Sequence, residues 1–271
     1  VYYSMNWLVG LNWGIQWGTV ITVTGTLTAA FLGQVFAHRY SQKREDIKFK
    51  KECFQNLYSP VVVKIEDYLF AENQKTTYLE TITEEEYNEK HKDDYYNPSR
   101  LFSEIVDTVG PNLKYANQEL IMEYQDIISL HQIDDSLADW ADPKIQFCDI
   151  FLTDYVRLSK DLGVYSPKIK ETVEGCLFFT QLFQLLQKAG YSDFSEELLR
   201  NLIIVEKFSK NLNKVVKLNN RFKKKKLKKE ARVKLCKKVY KLLYEIGDEI
   251  PQYTSPRWFK LLKQFVENPK M

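Results

Sequence analysis

Val1 to Ala37 contains no Lys, Arg, Asp or Glu, in a chain whose residues are 28% charged. A soluble helix of that length rarely lacks every charge, so the absence argues against a buried core helix and for a segment held in lipid. Glycine is scarce elsewhere, because after Gly33 only Gly110, Gly163, Gly175, Gly190 and Gly247 remain. That scarcity excludes Gly-rich phosphate loops and favours long helices with few tight turns. Cys53, Cys148, Cys176 and Cys236 are isolated, with no CxxC pair. They fit small core residues in a reducing compartment, not bridges or metal ligands. Histidine is limited to His38, His91 and His131, and no nucleophile elbow, P-loop, HExxH or deaminase signature is present. Alternating β-type runs are nearly absent, so the expected class is all-α.

Trp17 to Ala37 reads as a single transmembrane helix: 21 residues at about 1.5 Å rise each cover roughly 30 Å, the thickness of the hydrocarbon core. Nothing basic precedes it, while Arg39, Lys43, Arg44, Lys48, Lys50 and Lys51 follow. A removed secretory signal carries its charge in the opposite order. The positive-inside rule places the N-terminal segment 1–16 outside the cell membrane and the remainder in the cytoplasm. Trp7, Trp13 and Trp17 suit the outer interface, where an indole buries its ring and keeps its N–H wet.

The span inserts weakly. Val20, Ile21, Val23, Leu27, Phe31, Leu32, Val35 and Phe36 sum to roughly 4 kcal/mol at best on the insertion scale. Five Thr, three Gly and Gln34 oppose them. Gly10, Gly14 and Gly18 are four apart, and Gly25, Ala29, Gly33 and Ala37 repeat that spacing. At 100° per residue they form one stripe, bordered by Asn12, Gln16, Thr19, Thr22, Thr26 and Gln34. Small-xxx-small stripes let helices approach closely in lipid. Gly14, Gly18, Gly25, Ala29 and Gly33 are therefore the expected association residues of a homo-oligomer. The same polar border motivates an alternative, a toxin-like or defence effector whose oligomer permeabilises the membrane.

The expected cytoplasmic layout is a juxtamembrane helix over 38–71, an acidic loop over 72–100, and a helical-bundle domain over 101–271. The first helix should break or kink near Pro60, with Phe54, Leu57, Val61, Ile65 and Leu69 on its packed face. Further helices are expected at Leu101–Val109, Asn112–Gln132, Lys144–Leu162 and Pro167–Ala189. Pro111, Pro143 and Pro167 stand near helix starts, and Gly163 and Gly190 close two helices. A long helix after Ser192 should run toward the basic segment, followed by Lys229–Ile246 and Arg257–Val266. The last, with Trp258, Leu261, Leu262 and Phe265 on one side, is expected to dock on the domain.

Between Lys207 and Lys238 fifteen bases face one acid, Glu230, so this segment is net +14 in a chain of net +3 and the rest carries −11. Lys207, Lys210, Lys214, Lys217 and Arg221 are spaced 3, 4, 3 and 4, one helical face. Lys223, Lys224, Lys225, Lys226, Lys228 and Lys229 are the expected contacts to an anionic membrane surface, where each lysine contributes about 1 kcal/mol within a Debye length. The plainer reading of the run is a solvated hairpin whose charge is balanced by the acidic loop or by neighbouring subunits; nucleic acid is weaker than either, because only Phe222 offers a stacking platform.

Asp134, Asp135, Asp139 and Asp142 beside His131 form the densest carboxylate cluster. Aspartates crowd helix ends as caps, so no metal, no cofactor and no catalytic residue is assigned. The expectation is a membrane-anchored interaction protein that self-associates and meets an unidentified protein partner or anionic lipid, acting by localisation and not by chemistry.

Overall fold

The computed structural model describes residues 17–91, 97–133, 141–222, 229–250 and 256–267. Every element among them is helical, so the fold is all-α. The chain divides into two units, 1–49 and 50–271.

The first unit is the helix α1, Trp17–Cys53, whose last turns from Lys50 belong to the second unit. It is long and apolar enough to cross a membrane. Ile21, Leu27 and Phe31 are each about two-thirds exposed, at 69%, 66% and 66%. The Thr26 hydroxyl donates to the carbonyl of Thr22 at 2.8 Å, and Thr28 donates to Thr24 at 2.7 Å. These bonds satisfy the hydroxyls within the helix and lower their cost in an apolar medium.

In the second unit, a π-turn at Phe54–Tyr58 joins α1 to α2, Ser59–Tyr78. Pro60 sits in the first turn of α2 and cannot donate a backbone N–H; the wider π-turn directly before it accommodates that irregularity. Leu57, Val61, Ile65 and Leu69 are fully buried, with Phe54 packed at their margin.

The segment expected as an acidic loop is largely helical. α2 extends to Tyr78, and α3 occupies Glu84–Lys90. A capping box explains it: Thr83 Oγ1 accepts from Glu86 N at 3.2 Å, and Thr83 N donates to Glu86 at 3.1 Å. Glu84, Glu85 and Glu86 fill the first turn, where the helix dipole favours negative charge. Tyr87 is buried and stacks on His91 at 4.6 Å.

α4, Pro98–Val109, is capped by Asn97, whose side chain accepts from Arg100 N. Where one helix was expected over 112–132, a 3₁₀ stretch at Gly110–Tyr115 precedes α5, Gln118–Ile133. Asn117 separates them by accepting from Leu120 N at 2.7 Å, a cap that starts a new helix.

α6, Ala141–Asp161, and α7, Pro167–Ala189, follow. Ser166 caps α7, and Gly190 ends it at φ 84°, a left-handed position that glycine tolerates best. α7 is the central element, with Cys176, Phe178, Phe179, Leu182, Phe183, Leu185 and Leu186 all buried. α2, α6, α8, α9 and α10 pack around it, consistent with a helix apolar on most sides.

The single long helix expected after Ser192 is instead broken into α8, Asp193–Arg200, α9, Leu202–Glu206, a 3₁₀ turn at Ser209–Asn211, and α10, Leu212–Phe222. Asn201 ends α8 outside helical geometry (φ −108°, ψ 21°) and donates to the Glu197 carbonyl at 2.7 Å. The breaks let successive segments lie along α7. They also take Lys207 and Lys210 off the helical face that continues through Lys214, Lys217 and Arg221.

α11, Lys229–Gly247, and α12, Pro256–Glu267, complete the unit. α12 is docked: Trp258 is fully buried, and its ring meets Phe194 edge-on at 5.5 Å. All four cysteines are free and buried.

Candidate functional site

Three polar places in the second unit could carry function, and their wiring separates them. The first is a cleft of about 510 Å³ lined by Glu72, Lys75, Glu84, Asp142, Gln187 and Arg200, among others. Its charges already face one another. Lys75 pairs with Glu84 at 2.6 Å, and Arg200 pairs with Glu80 at 3.3 Å and with buried Glu197 at 2.5 Å. Gln187 donates to Asp142 at 2.7 Å and to Ser195 at 3.2 Å. This network ties α2, α3, α6, α7 and α8 together. A buried acid such as Glu197 that keeps its guanidinium is a structural clamp.

The second is a small recess of about 190 Å³ near Asp149, Asp154 and Asn219. Asp149 accepts from Thr180 at 2.9 Å and twice from Gln181 at 2.8 Å. Asp154 accepts from Tyr58 at 3.2 Å, from Arg157 at 2.6 Å and from Asn117. Burial raises the Asp154 carboxyl against the pull of Arg157, and burial also raises the Tyr58 phenol, helped by Asp154. These bonds join the π-turn, the Asn117 cap of α5, α6 and α7, and Asn219 of α10 donates to Gln181 at 2.7 and 2.9 Å.

The third place differs. A cavity of about 580 Å³ is lined by Arg221 from the last turn of α10 and by Lys234, Lys237, Lys238 and Lys241 from α11. Ala231 and buried Leu235 complete its wall, which is mostly apolar surface. Among the described residues, none of the five bases makes an ion pair, and no carboxylate lines the cavity. The lysines stand at i, i+3, i+4 and i+7, so they repel along one face, costing roughly 0.2–0.5 kcal/mol for each like-charged neighbour pair. α11 also begins with Lys229, against its own dipole. The first turn of α11 also carries Glu230, so the unbalanced positive charge lies on the lysine row and Arg221.

The residues expected to matter from sequence are distributed as follows. Gly14, Lys223, Lys224, Lys225, Lys226 and Lys228 lie outside the described residues, as do Asp134, Asp135 and Asp139. Lys229 opens α11, and His131 lies in the last turn of α5. Gly18, Gly25, Ala29 and Gly33 all lie on α1, and a side chain added at Gly25 or Gly33 would meet nothing within 4 Å. The five cavity bases were inside or beside the basic run in sequence, but their convergence depends on how α10 and α11 are packed. The chain matches no known family model, no curated protein and no solved structure.

Buried acids also set a pH dependence. Burial is the leading cause of raised carboxyls at Glu66, Glu123, Asp142, Asp154 and Glu206. Glu206 also accepts from the Cys176 thiol at 3.5 Å. A carboxyl raised in the fold binds its proton more tightly there than in the unfolded chain. Stability is then greatest at low pH and falls as pH rises from the ordinary carboxylate value through the raised one. Urea unfolding of the full chain in neutral detergent should therefore show these acids contributing less stability as pH rises above the ordinary carboxylate range. Glu206→Gln should shrink that loss, and an unchanged slope in the variant would discount this residue.

Proposed function

We propose that the chain is a single-pass membrane protein with its N-terminus outside, whose span self-associates and whose helical unit works in the cytoplasm by localisation and assembly. The basic α10–α11 region would meet an anionic membrane surface or a protein partner. The observation that carries this reading is the exposed, uncharged stretch of α1 with open space beside Gly25 and Gly33. Lipid tails fill such a groove poorly, whereas a second helix can approach it closely. The Thr26 and Thr28 hydroxyls bonded to their own helix leave less polar capacity for a water-lined path. Assembly is therefore preferred to permeabilisation.

Crosslinking in intact membranes tests it. Wild-type chain should give an oligomer ladder, and Gly25→Ile with Gly33→Ile should abolish most of it while the chain stays in the membrane. An unchanged ladder removes the small-residue seam as the contact. A membrane-potential dye gives the other arm: steady potential on induction is expected, and depolarisation lost on Gly25→Leu would favour the permeabilising effector.

A further inference from the structure

We propose that the cavity between Arg221 and the lysine row of α11 binds the phosphate headgroup of an anionic phospholipid. The inference rests on the membrane-anchored reading above and gives it a ligand class and five contact residues.

Lys234, Lys237, Lys238 and Lys241 share one face of α11, and Arg221 reaches the same cavity from α10. Contribution from two helices makes a concavity and not merely a charged stripe. Its volume of about 580 Å³ lies within the ordinary range for small-ligand sites, roughly 300–1,000 Å³. With no carboxylate in the wall, the positive potential is not cancelled locally. A guanidinium can hold phosphate through two parallel N–H bonds, while lysines act as mobile point charges around it.

The mostly apolar wall then chooses among phosphate sources. Ala231 and buried Leu235 line the cavity beside the bases, and lysine side chains carry aliphatic stems that can cover apolar surface while their heads stay wet. Inorganic phosphate would satisfy only the charged rim. A phospholipid satisfies both parts, with phosphate among the bases and glycerol and first acyl carbons against the floor. A nucleic acid strand would need aromatic platforms for its bases, and the cavity lining contains no aromatic side chain.

The test uses the full chain in neutral-detergent micelles, titrated with short-chain phosphatidic acid, short-chain phosphatidylcholine, inorganic phosphate and a short single-stranded DNA. Saturable binding of phosphatidic acid is expected, with phosphatidylcholine and inorganic phosphate at least tenfold weaker. Each lysine neutralised should cost roughly fivefold. Lys234→Gln with Lys238→Gln should therefore weaken phosphatidic acid about thirtyfold, and Arg221→Gln should weaken it separately. Lys168→Gln with Lys170→Gln, exposed on α7, should change it less than twofold. Equal affinity for inorganic phosphate or phosphatidylcholine, tighter binding of DNA, or indifference to the cavity variants would each overturn the proposal. Cell fractionation reads the anchor separately. A chain found in the soluble fraction contradicts the membrane reading, while short-chain lipid binding remains measurable in solution.

Discussion

Thr26→Asp combined with Leu27→Asp should move the chain out of the membrane fraction. Both positions lie at the centre of the 17–37 span, where an aspartate costs about 3 kcal/mol on the insertion scale. The two together cost about 6 kcal/mol, against roughly 4 kcal/mol contributed by all the apolar residues of the span. The sign of insertion therefore reverses. Thr26→Ala with Leu27→Ala, which adds no charge, should leave most of the protein resistant to alkaline extraction. The comparison is decisive because the span has so little surplus: a Leu-rich helix would tolerate one of these charges. If the double aspartate variant remains in membranes like the wild type, hydrocarbon does not surround α1. The exposed Ile21, Leu27 and Phe31 would then have to be covered by protein.

The parts of the fold that could be read in advance are those fixed by local chemistry. Ser166, Pro167 and Gly190 bracket α7 at the expected Pro167–Ala189, because cap, fixed φ and left-handed stop act within a few residues. Pro60 marked the break before α2 for the same reason. In the acidic stretch charge density points to a loop, but the Thr83–Glu86 capping box, present in the sequence at the right spacing, starts a helix there. The break at Asn201 is harder to foresee. Leu202, Ile203, Ile204 and Val205 continue an apolar helical pattern, and only packing against α7 rewards the bend. An added Cβ at Gly175 would lie 3.2 Å from the Glu206 side chain, a contact between residues distant in sequence. The cationic cavity was half legible. Arg221, Lys234, Lys237 and Lys238 stand inside the 207–238 charge run and Lys241 just beyond it, but their convergence into one wall requires two separate helices. On α1, helical periodicity alone places Gly25, Ala29 and Gly33 on one face.

Trp258 anchors α12, and its removal should have the largest effect on the helical unit. The side chain is fully buried against Phe194, on an element otherwise held by Leu261, Leu262 and half-exposed Arg257, which pairs with exposed Glu196 at 2.8 Å and more loosely with buried Glu197 at 3.7 Å. An exposed ion pair contributes at most about 1 kcal/mol, so the indole decides whether α12 stays docked. Trp258→Ala should cost about 3–5 kcal/mol. The lower end is expected, because the buried Trp258 Nε1 has no hydrogen-bond acceptor among the described residues, and truncation removes that penalty together with the apolar contact. Against a typical domain stability of about 5–15 kcal/mol, this loss should lower the melting temperature by several degrees and expose α12 to protease. Gly247 supplies the cross-check. A Cβ there would stand 2.5 Å from Trp258 Nε1 and 3.0 Å from Cδ1, so Gly247→Ala should cost about 1–3 kcal/mol by overpacking. The same change made in the Trp258→Ala background should cost under about 0.5 kcal/mol, because the two closest atoms are gone and only Leu262 Cδ1, at 3.3 Å, remains to give way. Additive losses in the double variant would mean that α11 and α12 do not meet through this pair, and the docking of the final helix would need another contact to explain it.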